Sequence, residues 1–187
     1  MSSNFFRSLG ARLSFLRGGS QVSIPRDPSF DISRIEHHPD KQLLARISKY
    51  YITLTTGDFN GMTALQADDL QISDISLEIV RASKQTWNQV NSGFSSLMTN
   101  ILVEAISLYG SSEPGSFALM ECVIRFTLAV DPPPEAAKNL PPGIKKGDRS
   151  GMIMLSAIWW NQEGLVYRDL EYGRLIWDQF DINAFKV

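Results

Sequence analysis

Cysteine is almost missing from the chain. Cys122 is the only one in 187 residues, so no disulfide can form within the chain and no Cys-x-x-Cys metal motif exists. It sits in an apolar, strand-like run and reads as a small buried hydrophobe rather than a nucleophile. Its isolation suits a reducing, intracellular compartment. Histidine is nearly as scarce, with only His37 and His38. No His/Cys/Asp cluster has metal-ligand spacing. Glycine-rich phosphate or dinucleotide loops are absent, as is a Gly-x-Ser-x-Gly elbow. No apolar run reaches the ~20 residues that span a bilayer. A basic excess is lacking too: 18 Lys and Arg stand against 20 Asp and Glu, a net charge of −2, so nothing points to nucleic acid. Redox, metal-dependent and nucleotide chemistry are therefore unsupported, and no cofactor is expected.

What charge there is lies unevenly. Residues 1–26 hold Arg7, Arg12, Arg17 and Arg26 and no acid, leaving 14 basic and 20 acidic residues elsewhere, a net of −6. Residues 1–30 read as a flexible arm, since Gly10, Gly18 and Gly19 weaken any helix there. The same composition fits a mitochondrial transit segment. The expected location is the cytoplasm, with the mitochondrion as the alternative. Residues 31–187 read as a single domain.

Pro39 and Asp40 suit a helix start, and Leu43, Leu44, Ile47, Tyr50, Tyr51 and Leu54 follow at helical spacing. Lys41, Arg46 and Lys49 fall largely off that stripe. Gly57 is the stop. Asp58 can cap a short second helix with Phe59, Met62 and Leu65, and a strand over 70–77 follows. Ser83 can cap a third helix that turns Trp87, Val90, Phe94 and Leu97 to one side. Four β-rich segments complete the chain: 101–109, 117–130, 152–161 and 165–172. Five prolines within 131–147 make that stretch a long loop.

Three helices and then long strands give an α+β arrangement. Met152, Met154, Ser156, Ile158 and Trp160 share one face of their strand, and Ile153, Leu155, Ala157 and Trp159 the other. Both faces are apolar, so one should cover a pocket and the other a second copy of the chain or the arm. A homodimer is expected.

Three stretches carry a resemblance. Thr55-Thr56-Gly57-Asp58-Phe59 resembles the opening of SnoaL-like proteins. Ala67-Asp68-Asp69-Leu70-Gln71-Ile72-Ser73-Asp74 resembles their first strand. Asn161-Gln162-Glu163-Gly164 through Tyr172 resembles their last hairpin. By order of elements the likeness covers residues 40–180. It implies a nuclear-transport-factor-like (cystatin-like) cone, in which a curved antiparallel sheet and three N-terminal helices enclose a pocket, usually in a dimer. Members include polyketide cyclases, ketosteroid isomerases, dehydratases and fungal secondary-metabolism isomerases. This chain departs from the histidine-using members: where SnoaL-type cyclases often carry a histidine after the third helix, it reads Leu97-Met98-Thr99-Asn100.

Acid–base work then falls to carboxylates, whose affinity for protons rises in an apolar pocket. Glu121 interrupts an apolar strand and shares a face with Arg125, roughly 13 Å away by strand rise. Together they either grip two ends of a ligand, or face solvent and pair across strands. Asp74 shares a face with Leu70 and Ile72. On the last strand Asp169 and Glu171 share one face, and Arg168, Leu170 and Tyr172 the other; the resemblance favours Asp169. Glu121, Asp74, Asp169 and Arg125 are thus the catalytic candidates. Tyr50, Tyr51, Trp87, Trp160 and Tyr172 are the substrate-binding candidates. The expected activity is cofactor-free isomerisation, cyclisation or dehydration of a hydrophobic, oxygenated small molecule such as a polyketide or terpenoid intermediate. A non-catalytic dimeric ligand carrier or adaptor is the alternative.

Overall fold

Side chains just ahead of each helix satisfy its first free N–H groups and so set where the helices begin. In the computed structural model, which describes residues 22–134, 140 and 142–177, Asp40 accepts from the Leu43 N–H at 2.9 Å and opens α1 (Lys41–Thr56). Asp58 caps α2 (Phe59–Ala64) through the Gly61 N–H, and Ser83 caps α3 (Lys84–Leu97) through the Thr86 N–H. Gly57 ends α1 at φ 69°, a left-handed position that glycine adopts without penalty. No described helix is long and apolar enough to cross a membrane.

Among the described residues, seven strands form one sheet: β1 (Phe30–Asp31), β2 (Gln66–Asp74), β3 (Ile79–Ser83), β4 (Met98–Gly110), β5 (Phe117–Leu128), β6 (Arg149–Trp160) and β7 (Val166–Trp177). Their order is β1-β4-β5-β6-β7-β2-β3. Neighbours β4 to β7 pair antiparallel, while β1 and β2 add to β4 and β7 in parallel. The sheet is curved and unclosed. Two short strands escape a reading by periodicity: β1 has two residues, and β3 carries Arg81 at φ 51°. The strand expected over 70–77 runs instead from Gln66 to Asp74, then turns at Ile75–Glu78 into β3.

The helices cover the concave face. Leu43, Leu44, Ile47, Tyr50 and Tyr51 of α1 are buried against Met120, Cys122 and Ile124 of β5 and Met154, Ile158 and Trp160 of β6 in one core. Alternation along β6 puts Met152, Met154, Ser156, Ile158 and Trp160 inward. The convex face leaves Phe117, Leu155 and Tyr172 exposed, with Phe117 stacked on Trp159 at 5.7 Å. Residues 1–21 lie outside the described part. Of the expected arm, Ile24 packs on the core, and the Ser29 carbonyl accepts from Val103 N–H at 2.9 Å.

Candidate functional site

β7 lies between β6 and β2, with its inward positions alternating Asp169 and Glu171. In the parallel pairing with β2, Asp169 sits opposite Ile72 and Glu171 opposite Asp74. Three carboxyls thereby converge on the concave face at 3% (Asp74), 1% (Asp169) and 7% (Glu171) exposure. Acids so deeply buried are tolerated only when hydrogen-bonded or protonated.

Each carboxyl is held differently. Asp169 accepts from the Tyr50 hydroxyl at 3.2 Å through Oδ2 and from the Ser156 hydroxyl at 3.2 Å through Oδ1. Burial nevertheless pushes its pKa up to about 7, because the two hydrogen bonds do not offset desolvation and the nearby Asp74 charge adds to it. Glu171 goes well above the ordinary carboxyl range, first through burial, then through the charges of Asp169 and Asp74 and a hydrogen bond with Asp74. Its protonated form is favoured accordingly. Asp74 is fixed through Oδ1, which accepts from Ser76 N–H (2.8 Å), Ser76 Oγ (2.5 Å) and Leu77 N–H (3.1 Å). Burial also pushes the Tyr50 and Tyr51 phenols well above their usual value, so both remain donors.

Asp74 and Glu171 line a small cavity of about 50 Å³, walled by Leu54, Trp87, Ile124 and Met154 among others. It shares Leu77, Val90, Phe94 and Met152 with a larger apolar cavity of about 290 Å³ that reaches Pro132, Pro133, Leu140 and Leu175. Asp74 and Glu171 line the smaller of these two cavities and not the larger. Among the described residues, no three His, Cys, Asp or Glu side chains are disposed to hold a metal ion.

The site draws together Asp74, Asp169, Tyr50, Tyr51 and Trp87 from the expected set. Trp160 is buried on the same face but lines a different cavity, beside Arg46. Glu121 and Arg125 require correction as pocket residues. Alternation along β5 sends Met120, Cys122, Ile124 and Phe126 into the core, which leaves the two charges on the convex side. There Glu121 accepts from the Ser107 hydroxyl at 3.2 Å, and Arg125 forms an ion pair with Glu104 across the strands. Tyr172 is corrected likewise: it alternates outward from Glu171 and is 52% exposed. Two further polar groups join the site, beyond the residues expected there. Glu171 shares its face with Asp169 two positions away, and Ser156 is the one hydroxyl in the stripe from Met152 to Trp160. Both signals are in the sequence.

No protein-family model matches the chain, and no curated protein does. Solved structures do. IdmH of Streptomyces antibioticus, assigned as a polyketide cyclase, superposes with a TM-score of 0.53 at 15% identity over 68% of this chain and 88% of that one. A SnoaL-like protein of Shewanella denitrificans, also assigned as a polyketide cyclase, gives 0.55 at 8% identity over 69% and 88%. A Mycobacterium tuberculosis protein solved with estradiol-17beta-hemisuccinate gives 0.51 at 16% identity over 75% and 94%. The fold is that of SnoaL-like and ketosteroid-isomerase-like proteins.

Proposed function

We propose that the protein is a cofactor-independent isomerase or cyclase, or a dehydratase, acting on a hydrophobic oxygenated molecule such as a polyketide or terpenoid intermediate. One observation carries the reading: the Asp74 and Glu171 carboxyls, opposite each other across the β2–β7 pairing, lie in the wall of a small cavity that shares four residues with an apolar one, and burial favours the protonated form of Glu171. Glu171 offers its proton to a substrate oxygen, where negative charge builds as a neighbouring C–H bond breaks. Asp74, across the strand, accepts the carbon-bound proton. The proton then returns at another carbon, or a hydroxyl leaves as water with the Glu171 proton. Asp169 is a positioning residue. It stands behind the pair, and its charge raises the proton affinity of Glu171. Similarity in fold to cyclases supports this choice of chemistry without fixing it.

The test follows the proton itself. In D2O, the protein should accelerate deuterium uptake at the α-carbons of some members of a panel of hydrophobic ketones, steroid and polyketide-derived. Asp74→Asn and Glu171→Gln should each abolish that uptake while the fold is kept. Uptake that persists in both variants refutes the assignment of roles.

The second reading, a ligand carrier or adaptor, is favoured by the small volume at the acids, about 50 Å³. Native mass spectrometry separates the two: a co-purifying oxygenated hydrophobe that the protein never converts indicates the carrier. Under either reading we place the partner copy of a homodimer on the convex face, where Phe117, Leu155 and Tyr172 are exposed.

A further inference from the structure

A third cavity, of about 270 Å³, has Arg46, Lys49, Gln42 and Trp160 in its lining. Tyr50 contributes to its wall while its hydroxyl donates to Asp169. The lining contains two cations and no Asp or Glu, on a chain whose net charge is −2.

The guanidinium of Arg46 is fixed in place by its surroundings. Its Nη1 donates to the Ser112 carbonyl at 2.7 Å, and its centre lies 5.6 Å from the Trp160 ring. Gly164 makes room for it: a Cβ there would come within 2.7 Å of Nη2. No ion pair to a described acid neutralises it. Trp160, only 2% exposed, has an indole N–H with no hydrogen-bond partner.

The lining thus offers guanidinium, ammonium and amide donors. Its remaining walls are apolar, from Ala45, Leu65, Val166 and Pro25. We propose that this cavity is a binding site for an organic carboxylate, separate from the acid–base site, with the carboxylate on Arg46 and Lys49 and an apolar body against Trp160 and Leu65. A planar carboxylate matches the guanidinium fork. Inorganic phosphate has no body to fill the apolar walls.

The full chain, labelled with 15N at its tryptophan indoles, is titrated with sodium benzoate, with benzamide and inorganic phosphate as comparison probes. Trp160→Phe identifies the reporting signal. The expected result is a saturable shift of the Trp160 indole signal with benzoate and none with benzamide at the same concentration. Arg46→Gln should raise the benzoate Kd about tenfold, the loss expected for one charge-assisted contact. Lys49→Gln, at an exposed side chain that a fold-neutral change can address, should raise it by a smaller factor. No saturable shift overturns the proposal, as does an affinity unchanged in both variants. Phosphate binding as tightly as benzoate overturns the organic-carboxylate assignment.

Discussion

Replacing Asp169 by Asn should change how stability depends on pH, and the sign and size follow from the structure. An unburied aspartate titrates near 3.8, whereas in the fold this carboxyl is pushed up to about 7. Between those values the folded protein keeps a proton that the unfolded chain has lost, so stability falls as pH rises. The contribution is full below about pH 4 and gone above about pH 7. At about 1.4 kcal/mol for each pH unit, the whole interval is worth about 4 kcal/mol. An Asn side chain can still accept from the Tyr50 hydroxyl, so Asp169→Asn removes the titration while keeping the geometry. The assay is urea unfolding of wild type and variant at half-unit steps from pH 4 to pH 8.5. The variant should gain on the wild type progressively and be about 4 kcal/mol ahead, to order of magnitude, at pH 8. Asp27 and Asp40, whose hydrogen bonds lower their pKa, act in the opposite direction but equally in both proteins. Parallel curves for the two proteins across that range would refute the argument, because they would mean that Asp169 ionises in the fold as easily as in the unfolded chain.

Other substitutions probe the same geometry. Tyr50→Phe removes a hydrogen bond that favours the ionised form, so the Asp169 midpoint should rise further, read by 13C NMR of the carboxyl, with a stability loss of about 1 kcal/mol. Glu121→Gln, on the convex face, should leave deuterium uptake unchanged and alter stability by no more than about 1 kcal/mol in urea unfolding. Leu155→Arg places a charge in the middle of the exposed convex face and should convert a dimer to a monomer by light scattering, with monomer stability kept.

Much of the fold was legible because its signals are local. Asp40, Asp58 and Ser83 cap the helices, and Gly57 takes the left-handed stop, each through contacts within a few residues. The α1 stripe from Leu43 to Tyr51 is buried as its spacing demands. β3 was not legible, since its partner β2 lies across a tight turn and the segment has five residues. The acid cluster was partly legible. Asp74 shares its face with Leu70 and Ile72, and all three are buried. Glu171 could be set beside Asp169 by alternation. Their meeting with Asp74 could not be read, because it depends on the parallel pairing of β2 with β7, two segments about a hundred residues apart in the chain.

Glu121 shows why alternation alone does not locate a site. Its strand is apolar on both sides, since Val123 is as deeply buried as Cys122, so the pattern gives the period without saying which parity faces the helices. The neighbouring strand would have helped only if its own alternation were regular. It is not: the register of β4 against β5 shifts between Ala105 and Ser107. Glu104 and Ser107, three positions apart, therefore meet Arg125 and Glu121 on one face, where strict alternation would have put them on opposite faces. The bulge gives two charges in an apolar strand their partners outside the core. It also leaves the concave face of β5 wholly apolar, from Ala118 to Leu128. The polar chemistry of the cone is thereby gathered at the β6–β7–β2 side, where the Ser156 hydroxyl and three carboxyls, with Tyr50 of α1, sit in one buried layer. Confinement of this kind raises the proton affinity of Asp169 and Glu171, because no charge on the facing strand offsets their desolvation. A basic residue introduced there, as in Met120→Lys, should therefore lower both midpoints and flatten the loss of stability between pH 4 and 7. An unchanged slope in a folded variant would show that the two halves of the cone are electrostatically independent.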